Sequence, residues 1–422
     1  MSAAGLEVGA KTVADRPAKR RRFGAREWLI VVAAALAILS ILRIVTDTPD
    51  IDSSGALIAG LAAAVPIALA GLGGLWSERA GVVNIGLEGM MILGTWGAGF
   101  CGYQWGPWAG VAGAIVMGMI GGLIHAVATV IFGVDQIVSG VAINIIGLGV
   151  AKYLAVRFFT GVPGGGPTQS PQIDSLPNFT VAPLSDALGN LEGKGWFFIS
   201  DLAAVLRALC TNLSVLTILT VLLFVGTWWL LWRTPFGLRL RSCGESPVAA
   251  ETLGVNVIRY KFLAVVLSGG FAGLGGGFLA LVAAHIYRDG QTAGRGYIGL
   301  AAMIFGNWRP GGLLAGAGLF GYTDAVQLRG VGNVHAFLLL FAVILVAVGV
   351  WQIVRNRRLV QGILALVVGG LVAWWFFGSD AVPPELTGTT PYVVTLLVLA
   401  FASQRLRMPA ADGKIYRKGE GH

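Results

Sequence analysis

Long apolar stretches, each of about 20 residues, follow one another along this sequence, and that is the length an α-helix needs to cross a bilayer. In hydrocarbon every backbone polar group must be satisfied internally, so uninterrupted stretches of this length indicate helices. The sequence therefore predicts an all-α, polytopic membrane protein with about 10–12 transmembrane helices. The stretches lie near residues 28–45, 55–76, 82–103, 108–132, 136–159, 212–232, 262–284, 335–354 and 359–377, with a shorter one near 391–404.

Composition supports a membrane location and argues against other classes. Hydrophobic residues make up 55% of the 422 residues and charged residues only 12%, which is far more apolar than a soluble domain. The 63 glycines let helices approach closely, as membrane helices do when they pack. The net charge of +9 is spread between apolar stretches rather than gathered on one domain, so we expect no nucleic-acid partner.

The cysteines and histidines do not indicate a metal site. The three cysteines have no CxxC spacing, and the four histidines fall in no metal-ligand spacing. We therefore expect this chain to bind no metal and no cofactor of its own.

The distribution of Lys and Arg predicts the orientation in the membrane. These residues cluster at 19–26, directly before the first apolar stretch, and again in the loop 233–261 and the tail 405–422. By the positive-inside rule, basic segments beside transmembrane helices stay in the cytoplasm. We therefore expect a basic cytoplasmic tail over 1–27, a first transmembrane helix with an external loop over 28–54, and both termini inside.

The same alternation places residues 160–211 outside the membrane. This long segment begins GVPGGGP at 161–167 and continues with further Pro, Ser and Asn, a composition typical of turns. We expect it to be ordered by turns rather than by a core, in a position to cap the outer mouth.

Two parts of the sequence resemble each other. Residues 71–76 read GLGGLW and precede IGLEGMMILGTW at 85–96, whereas residues 273–278 read GLGGGF and precede IGLAAMIFGNW at 298–308. The charge distribution gives the two copies opposite directions across the membrane. Inverted repeats with Gly-interrupted segments are typical of transporters, whose substrate route lies between the repeats.

The second copy lies in a segment with an interruption of its own. Residues 298–329 are apolar but are broken at 307–310 by NWRP, so they predict either a re-entrant pair or two short spans. We expect residues 82–96 and 295–310, the matching interrupted pieces, to line the substrate route from opposite sides.

Glu88 is the most unusual residue of these segments. An ionised carboxylate at mid-bilayer costs about 2.5–3.5 kcal/mol unless it is paired or hydrated, so Glu88 must face protein or water. Either it lines the route or satisfies backbone donors at a helix break, with Asn84 as its neighbour, or it lies near the cytoplasmic surface and pairs with Arg79. Asn144 is a similar single polar group, and such groups more often form interhelical hydrogen bonds than substrate contacts. The candidate route residues are Asn84, Glu88, Met91, Asn144, Tyr297 and Asn307.

The cytoplasmic loop contains a short predicted helix. Ser246 can cap it, Pro247 suits its first position, and Gly254 can end it. A helix of two turns is marginal in isolation, so we expect it to dock on another protein, with Ala249 and Ala250 small enough for close approach. The sequence has no phosphate loop, because no Gly-Lys-Ser/Thr follows its Gly-rich segments, so we expect the chain to have no ATPase of its own.

Three motifs resemble the permease family of ABC importers for branched-chain amino acids, ribose and nucleosides. They are SERAGVVNIGLEGMM at 77–91, TPFGLRLRSCGESPVAAETLG at 234–254 and GRGYIGLAAMIFGNWRP at 294–310, and the first and third look most like the nucleoside and simple-sugar branch. The resemblance covers about 55–355. Residues 356–404 would then form extra C-terminal transmembrane helices, and 405–422 a basic cytoplasmic tail.

This resemblance implies a type II importer with several partners. The chain would pair with a second permease subunit, two cytoplasmic ATPase subunits that bind ATP-Mg, and an external substrate-binding lipoprotein, in the cytoplasmic membrane of a prokaryote and surrounded by its lipid. The short cytoplasmic helix would be the coupling helix that enters a groove on the ATPase. Its coupling residues would be Pro247, Ala249, Ala250, Glu251 and Gly254.

Two other functions compete with this interpretation. An ion-coupled secondary transporter also uses inverted repeats, but it usually needs intramembrane charges for its ion, and this chain offers mainly Glu88. A membrane-embedded enzyme would need a catalytic constellation, which the apolar stretches lack. We therefore expect a permease, with nucleosides or simple sugars as its cargo.

Overall fold

The computed structural model describes residues 25–419 apart from positions 330, 356, 380, 391, 392 and 394–405. Helices dominate the described chain, together with one two-stranded antiparallel ladder of β1 Asn178–Phe179 and β2 Leu213–Ser214. Single π-helical turns, Val127–Ile131 and Leu279–Ala283, extend α4 and α11. The helices are α1 Ala25–Thr46, α2 Ser54–Arg79, α3 Leu87–Trp105, α4 Pro107–Ala126, α5 Gln136–Phe159, α6 Ala182–Glu192, α7 Ile199–Ala208, α8 Val215–Arg233, α9 Pro235–Glu245, α10 Pro247–Thr252, α11 Val257–Phe278, α12 Arg295–Phe305, α13 Pro310–Gln327, α14 Val331–Val354, α15 Leu359–Gly378 and α16 Pro384–Thr387.

Seven of the described helices are long and apolar enough to cross a membrane. They confirm the prediction of an all-α, polytopic membrane protein. The predicted stretch at 391–404 and the tail residues 1–24 lie almost wholly outside the described residues. The seven are Ser54–Arg79, Pro107–Ile131, Gln136–Phe159, Val215–Arg233, Val257–Ala283, Gly332–Val354 and Leu359–Gly378.

The interrupted segment 298–329 forms two helices rather than one. The chain leaves α12 after Phe305 and enters α13 at Pro310, which occupies the first turn, where its missing N–H costs nothing. Between them Asn307 and Trp308 have positive φ values of 55° and 52°, which breaks the helix sharply. The structure therefore confirms the predicted break.

The two copies of the repeat run in opposite directions. α2 ends at Arg79, which donates hydrogen bonds to the carbonyl oxygen of Trp308, just beyond α12. α11 begins at this same end, where Lys261 donates to the carbonyl oxygen of Gly81 at 3.0 Å. We call this the α9–α10 end, because Gly244 of α9 also packs against Arg79 there. α2 therefore arrives where α11 departs, as an inverted repeat requires.

Each copy then enters a helix that starts in the middle of the bundle, α3 with 19 residues and α12 with 11. After α2 the non-helical residues 80–86, which we call the crossing segment, lead to the start of α3. After α11 residues 284–294 lead back to the start of α12. The two starts meet, because Glu88 of α3 accepts hydrogen bonds from Gly294 and Gly296. α12 therefore extends from mid-bundle to the α9–α10 end.

The predicted helix 82–103 begins five residues later than the hydropathy suggests. Gly81 has a positive φ of 83°, and the amide of Val83 bonds the side chain of Gln136 at 2.7 Å instead of a helical carbonyl. Regular helix starts only at Leu87. Residues 82–85 therefore belong to the non-helical crossing segment, in which Val82 and Asn84 are buried.

The prediction that residues 160–211 lack a core was wrong. This segment contains α6 and α7, and Leu188, Ala203 and Cys210 form a small buried cluster between them. An ion pair from Arg207 of α7 to Glu192 of α6 closes the pair at 2.9 Å. The turn-rich composition of 161–178 obscures the helical spacing of the apolar residues that follow.

Close helix packing in the core depends on glycine. A Cβ on Gly118 of α4 would lie 2.6 Å from the Cα of Gly273 in α11, and a Cβ on Gly269 would lie 2.9 Å from the Cα of Gly122. Such backbone approach is how membrane helices gain van der Waals contact without a hydrophobic drive. The glycines thereby bring α4 and α11 together and hold α3 beside them.

Candidate functional site

Asn84 fixes the crossing segment inside the bundle. It is fully buried, its amide donates to the hydroxyl of Ser268 in α11 at 2.8 Å, and its side-chain oxygen accepts from the amide of Gly86 at 3.0 Å. Asparagine suits this position because its side chain can satisfy a nearby backbone amide in a turn. Asn84 therefore organises the backbone that leads to Glu88.

Further support for the crossing segment comes from residues that the sequence did not single out. His125 of α4 contacts the carbonyl oxygen of Val83 at 3.2 Å and the hydroxyl of Ser139 at 2.8 Å, and Gln136 accepts the Val83 amide. All three side chains are buried. The sequence gives only a weak signal for these three residues, because each is a lone polar residue in an apolar stretch.

Glu88 caps the start of α12. Its two carboxylate oxygens accept the backbone amides of Gly294 at 3.0 Å and Gly296 at 2.7 Å, and the residue is only 6% exposed. A carboxylate is favoured there because the first amides of a helix are unpaired and its N-terminus carries partial positive charge. A Cβ at position 296 would lie 2.6 Å from the Cα of Glu88, so only glycine allows this approach.

This geometry decides between the two interpretations of Glu88. The carboxylate satisfies backbone donors at a helix break, as the first interpretation proposed. Pairing with Arg79 is not found, because Arg79 instead donates to the carbonyl oxygen of Trp308 and lies 3.9 Å from Glu245. Glu88 is thus a mid-bundle carboxyl group at which the starts of α3 and α12 meet.

Asn144 links three elements beside Glu88. Its side-chain oxygen accepts the amide of Gly89 at 2.7 Å, and its amide donates to the carbonyl oxygen of Ile85 at 3.0 Å and to the hydroxyl of Tyr297 at 2.9 Å. It therefore forms the interhelical hydrogen bonds that the sequence suggested, between α5, the crossing segment, α3 and α12.

The structure brings four of the six candidate route residues into one region, which we call the polar cluster: Asn84, Glu88, Asn144 and Tyr297. Tyr297 is 46% exposed on the surface of the bundle, next to Asn144. Neighbouring α5 positions on this surface are apolar and exposed, Ile145 among them. The cluster thus presents a polar edge within an otherwise apolar helix face.

Met91 and Asn307 lie elsewhere. Met91 is fully buried among Leu87, Met90 and Ile143, so it packs rather than lines an open surface. Asn307 lies at the α9–α10 end, where its side-chain oxygen accepts the amide of Arg407 at 2.8 Å. A role for either residue in a substrate route stays a prediction.

The α9–α10 end carries the predicted short helix as α10. Pro247 occupies its first turn as expected, and Gly254 beyond its end has a positive φ of 81° with its amide bonded to the carbonyl oxygen of Glu251 at 2.8 Å. Ser246 stands at the cap position but makes no side-chain capping bond. An additional α9, capped by Thr234, precedes it.

Ala250 does not face outward, contrary to the expectation that it would meet a partner. It is 2% exposed and packs against Cys243 and Val257, because α10 folds back onto α9 and α11. Ala249 is exposed, and Leu253 is 85% exposed, a large apolar side chain in an otherwise polar loop. A groove of about 460 Å³ lies beside them, lined by Phe236, Arg239, Leu253, Gly254, Val255, Asn256, Arg259, Tyr260 and Leu263.

Metal chemistry finds no support in the described residues. No group of three or more His, Cys, Asp or Glu side chains in that part of the chain is arranged to hold an ion. The polar cluster contains one carboxylate, one amide pair and one phenol, a set suited to hydrogen bonding of a small polar molecule.

Comparison with known proteins gives consistent results. The model of the family described as branched-chain amino acid transport system / permease component matches residues 56–349. The guanosine ABC transporter permease protein NupQ of Bacillus subtilis is 38% identical over 279 residues, covering 64% of this chain and 81% of that protein. No solved structure matches the chain.

Two other relatives match over more of this chain. The putative glucose ABC transporter permease protein TsgC13 of Haloferax volcanii is 33% identical over 87% of this chain and 98% of its own length. The nucleoside ABC transporter permease protein NupC of Lactococcus lactis is 30% identical over 84% of this chain and 94% of its own length.

Proposed function

The chain belongs to the family of branched-chain amino acid transport system permease components, and we propose that it carries nucleosides into the cell as a membrane-spanning subunit of an ATP-binding cassette importer. Simple sugars are the second candidate cargo, because one relative is named as a putative glucose permease. The observation that carries the proposal is the identity of 38% with a guanosine permease over 279 residues. The importer function fits better than ion-coupled transport.

The polar cluster supports a permease that is powered by partner ATPases rather than by an ion gradient. An ion-coupled carrier usually needs an intramembrane charge that is free to bind and release its ion. Glu88 instead engages one backbone amide with each oxygen. It therefore links the starts of α3 and α12 and is poorly placed to exchange an ion.

We place the substrate route along the polar edge formed by Asn144 and Tyr297. Polar groups exposed to lipid are costly, so the exposed Tyr297 in an apolar helix face favours a water-filled route there. A second permease subunit facing this surface would enclose the route. The Tyr297 ring can stack on a nucleobase or on the apolar face of a sugar, and its hydroxyl, which accepts from Asn144, can donate to either.

The proposed partners follow from the same assignment. Two ATPase subunits would bind ATP-Mg and dock at the α9–α10 end, where Ala249 and Leu253 are exposed, and a substrate-binding lipoprotein would deliver cargo outside. The chain would lie in the cytoplasmic membrane of a prokaryote with both termini inside. Cysteine substitutions in a background without the three native cysteines test the orientation: a membrane-impermeant maleimide should label Asn190→Cys from outside and spare Leu253→Cys, because both positions are exposed.

Uptake into proteoliposomes tests the function. Vesicles holding the permease pair and its ATPases, with the binding protein outside and ATP inside, should accumulate labelled guanosine, and unlabelled nucleosides should compete better than glucose. Accumulation driven by a sodium or proton gradient without ATP would contradict the importer.

A pair of tyrosine substitutions tests the route. Tyr297→Phe removes the hydroxyl of α12 at the polar edge. Tyr153→Phe removes a hydroxyl from an exposed position of α5. The first should raise KM for the cargo and the second should not. Equal behaviour of the two variants would exclude the polar edge from the route.

A further inference from the structure

The C-terminal residues 406–419, which we call the C-terminal strap, lie across the α9–α10 end and bond three elements there. The amide of Arg407 donates to the Asn307 side chain beyond α12, and the amide of Ala411 donates to the carbonyl oxygen of Gly244 in α9, both at 2.8 Å. The hydroxyl of Tyr416 donates to the carboxylate of Glu251 in α10 at 2.5 Å. The strap therefore connects α12, α9 and α10.

Part of the strap is inserted into the bundle. Ala411 is 5% and Asp412 is 6% exposed. The Asp412 carboxyl lies near the Glu78 carboxyl in α2, with Lys261 of α11 and Arg79 of α2 as the nearby cations. Burial raises the pKa of Asp412 to about 7. The backbone of Ala411 holds this part of the strap in place, because its amide bonds Gly244 and its carbonyl oxygen lies beside Gly81.

The inserted part also reaches the crossing segment. A Cβ on Gly413 would lie 3.6 Å from a methyl group of Val83, one residue before Asn84, and Ile415 lies beside Gly133 at the entry to α5. Lys261, next to Asp412, donates to the carbonyl oxygen of Gly81. The strap thus touches both α10 and the backbone that leads into the polar cluster.

The helix α10 needs such support. It has only six residues, and its buried side is limited to Ala250, which packs with Cys243, Val257 and Tyr416. A helix of this length does not hold its own position, because the cost of nucleation exceeds what so few hydrogen bonds return. Tyr416 supplies both packing and a charge-assisted hydrogen bond to Glu251.

We propose that the C-terminal strap positions α10 against the crossing segment and passes movements of α10 to the polar cluster. Tyr416 holds the α10 side and Asp412 the α2 side. The inference rests on the proposed importer function, because in that function an ATPase binds at α10 and moves it. It adds positioning residues outside the region matched by the family model, which ends at residue 349.

Transport per ATP hydrolysed is the first test. In proteoliposomes with ATPase and binding protein, Tyr416→Ala should lower uptake per ATP about ten-fold, the factor expected from losing one charge-assisted hydrogen bond. Truncation after Pro409 should lower it at least as far, because it also removes the bond from Ala411 to Gly244. Lys414→Ala, an exposed position of the same strap, is the matched control and should leave the ratio unchanged. Tyr416→Phe separates the hydrogen bond from the packing and should show the hydrogen-bond part of the loss.

These outcomes distinguish a failure of the strap proposal from a failure of the proposed importer function. A truncated protein with wild-type uptake per ATP would overturn the strap. Failure of the wild-type complex to import anything with ATP would instead overturn the proposed function.

A distance measurement tests the strap without transport. Spin labels at Ala249 of α10 and at Ile137, next to the Gln136 side chain that bonds Val83, are both on exposed positions. Truncation after Pro409 and Tyr416→Ala should broaden the distance distribution between them, and Lys414→Ala should not. An unchanged distribution in the truncated permease would overturn the strap whatever the cargo.

Discussion

Replacing Glu88 should destabilise the protein more than any exposed acidic cap does. Glu88→Ala leaves the amides of Gly294 and Gly296 without their acceptors inside the bundle. A hydrogen bond to a charged group contributes about 1.5–3 kcal/mol, so the two together correspond to about 3–6 kcal/mol. Glu88→Gln keeps one acceptor oxygen but turns an NH2 group toward the second amide, so we expect about half of that loss. Transport should fall in both variants, because α3 and α12 lose their common anchor.

The assay is denaturant unfolding of the purified permease in detergent, together with uptake in proteoliposomes. Asp135→Asn is the matched control, because the Asp135 carboxylate accepts the amides of Ile137 and Val138 at 2.9 Å in the same way but at an exposed helix start. Asparagine caps about as well as aspartate, so the control should lose only a few tenths of a kcal/mol. Wild-type stability and transport in Glu88→Ala would refute the capping role.

Two further predictions concern the α9–α10 end. Burial raises the pKa of Asp412 from 3.8 to about 7. Between these two values the attached strap holds a proton that the released strap loses. The strap should therefore bind less tightly as the pH rises from about 4 to 7, and its binding should not change further above pH 7. A spin label at Lys414 should therefore gain mobility over that range in the wild type, whereas Asp412→Asn should remove the pH dependence. Ala250→Trp should overfill the contact with Cys243 and lower the free energy of unfolding by about 1–3 kcal/mol, as overpacking usually does. Ala249→Trp should leave the free energy of unfolding unchanged and weaken ATPase binding. Thermal unfolding and co-purification of the ATPase separate the two alanines, and equal stability loss in both would contradict their assignment to opposite sides of α10.

The sequence predicts those parts of the architecture that depend on the length of apolar stretches and on helix-breaking residues. The interruption at 307–310 marks a real helix break, because proline acts through local backbone geometry that the sequence records directly. The inversion followed from charge, which also acts locally at the membrane surface. These features needed no knowledge of distant contacts.

The polar cluster could be predicted only in part. Hydropathy cannot tell an apolar helix from an apolar extended segment, so the start of α3 was placed at 82 rather than at Leu87. The partners of Glu88 lie 206 and 208 residues along the chain, and nothing local identifies them. Ala250 shows the same limit, because a small side chain suits a partner groove and an internal contact equally well.

The position of α12 explains how one end of the molecule can control the other. Its 11 residues extend about 16 Å at 1.5 Å per residue, from the Glu88 carboxylate to the turn at Asn307 and Trp308. At that turn Arg79 holds the Trp308 carbonyl oxygen, and the indole of Trp308 donates to Glu78, the carboxyl that Asp412 of the strap approaches. A short helix is stiff along its axis, so displacement of this turn moves the whole helix and with it Tyr297 at the polar edge. The capping bonds to Glu88 are the only described hydrogen bonds that tie the starting residues Gly294 and Gly296 to α3, and they must therefore yield or travel when α12 moves. Glu88 is, on this argument, a hinge at mid-bundle, and its charge serves the movement of helices rather than the binding of cargo.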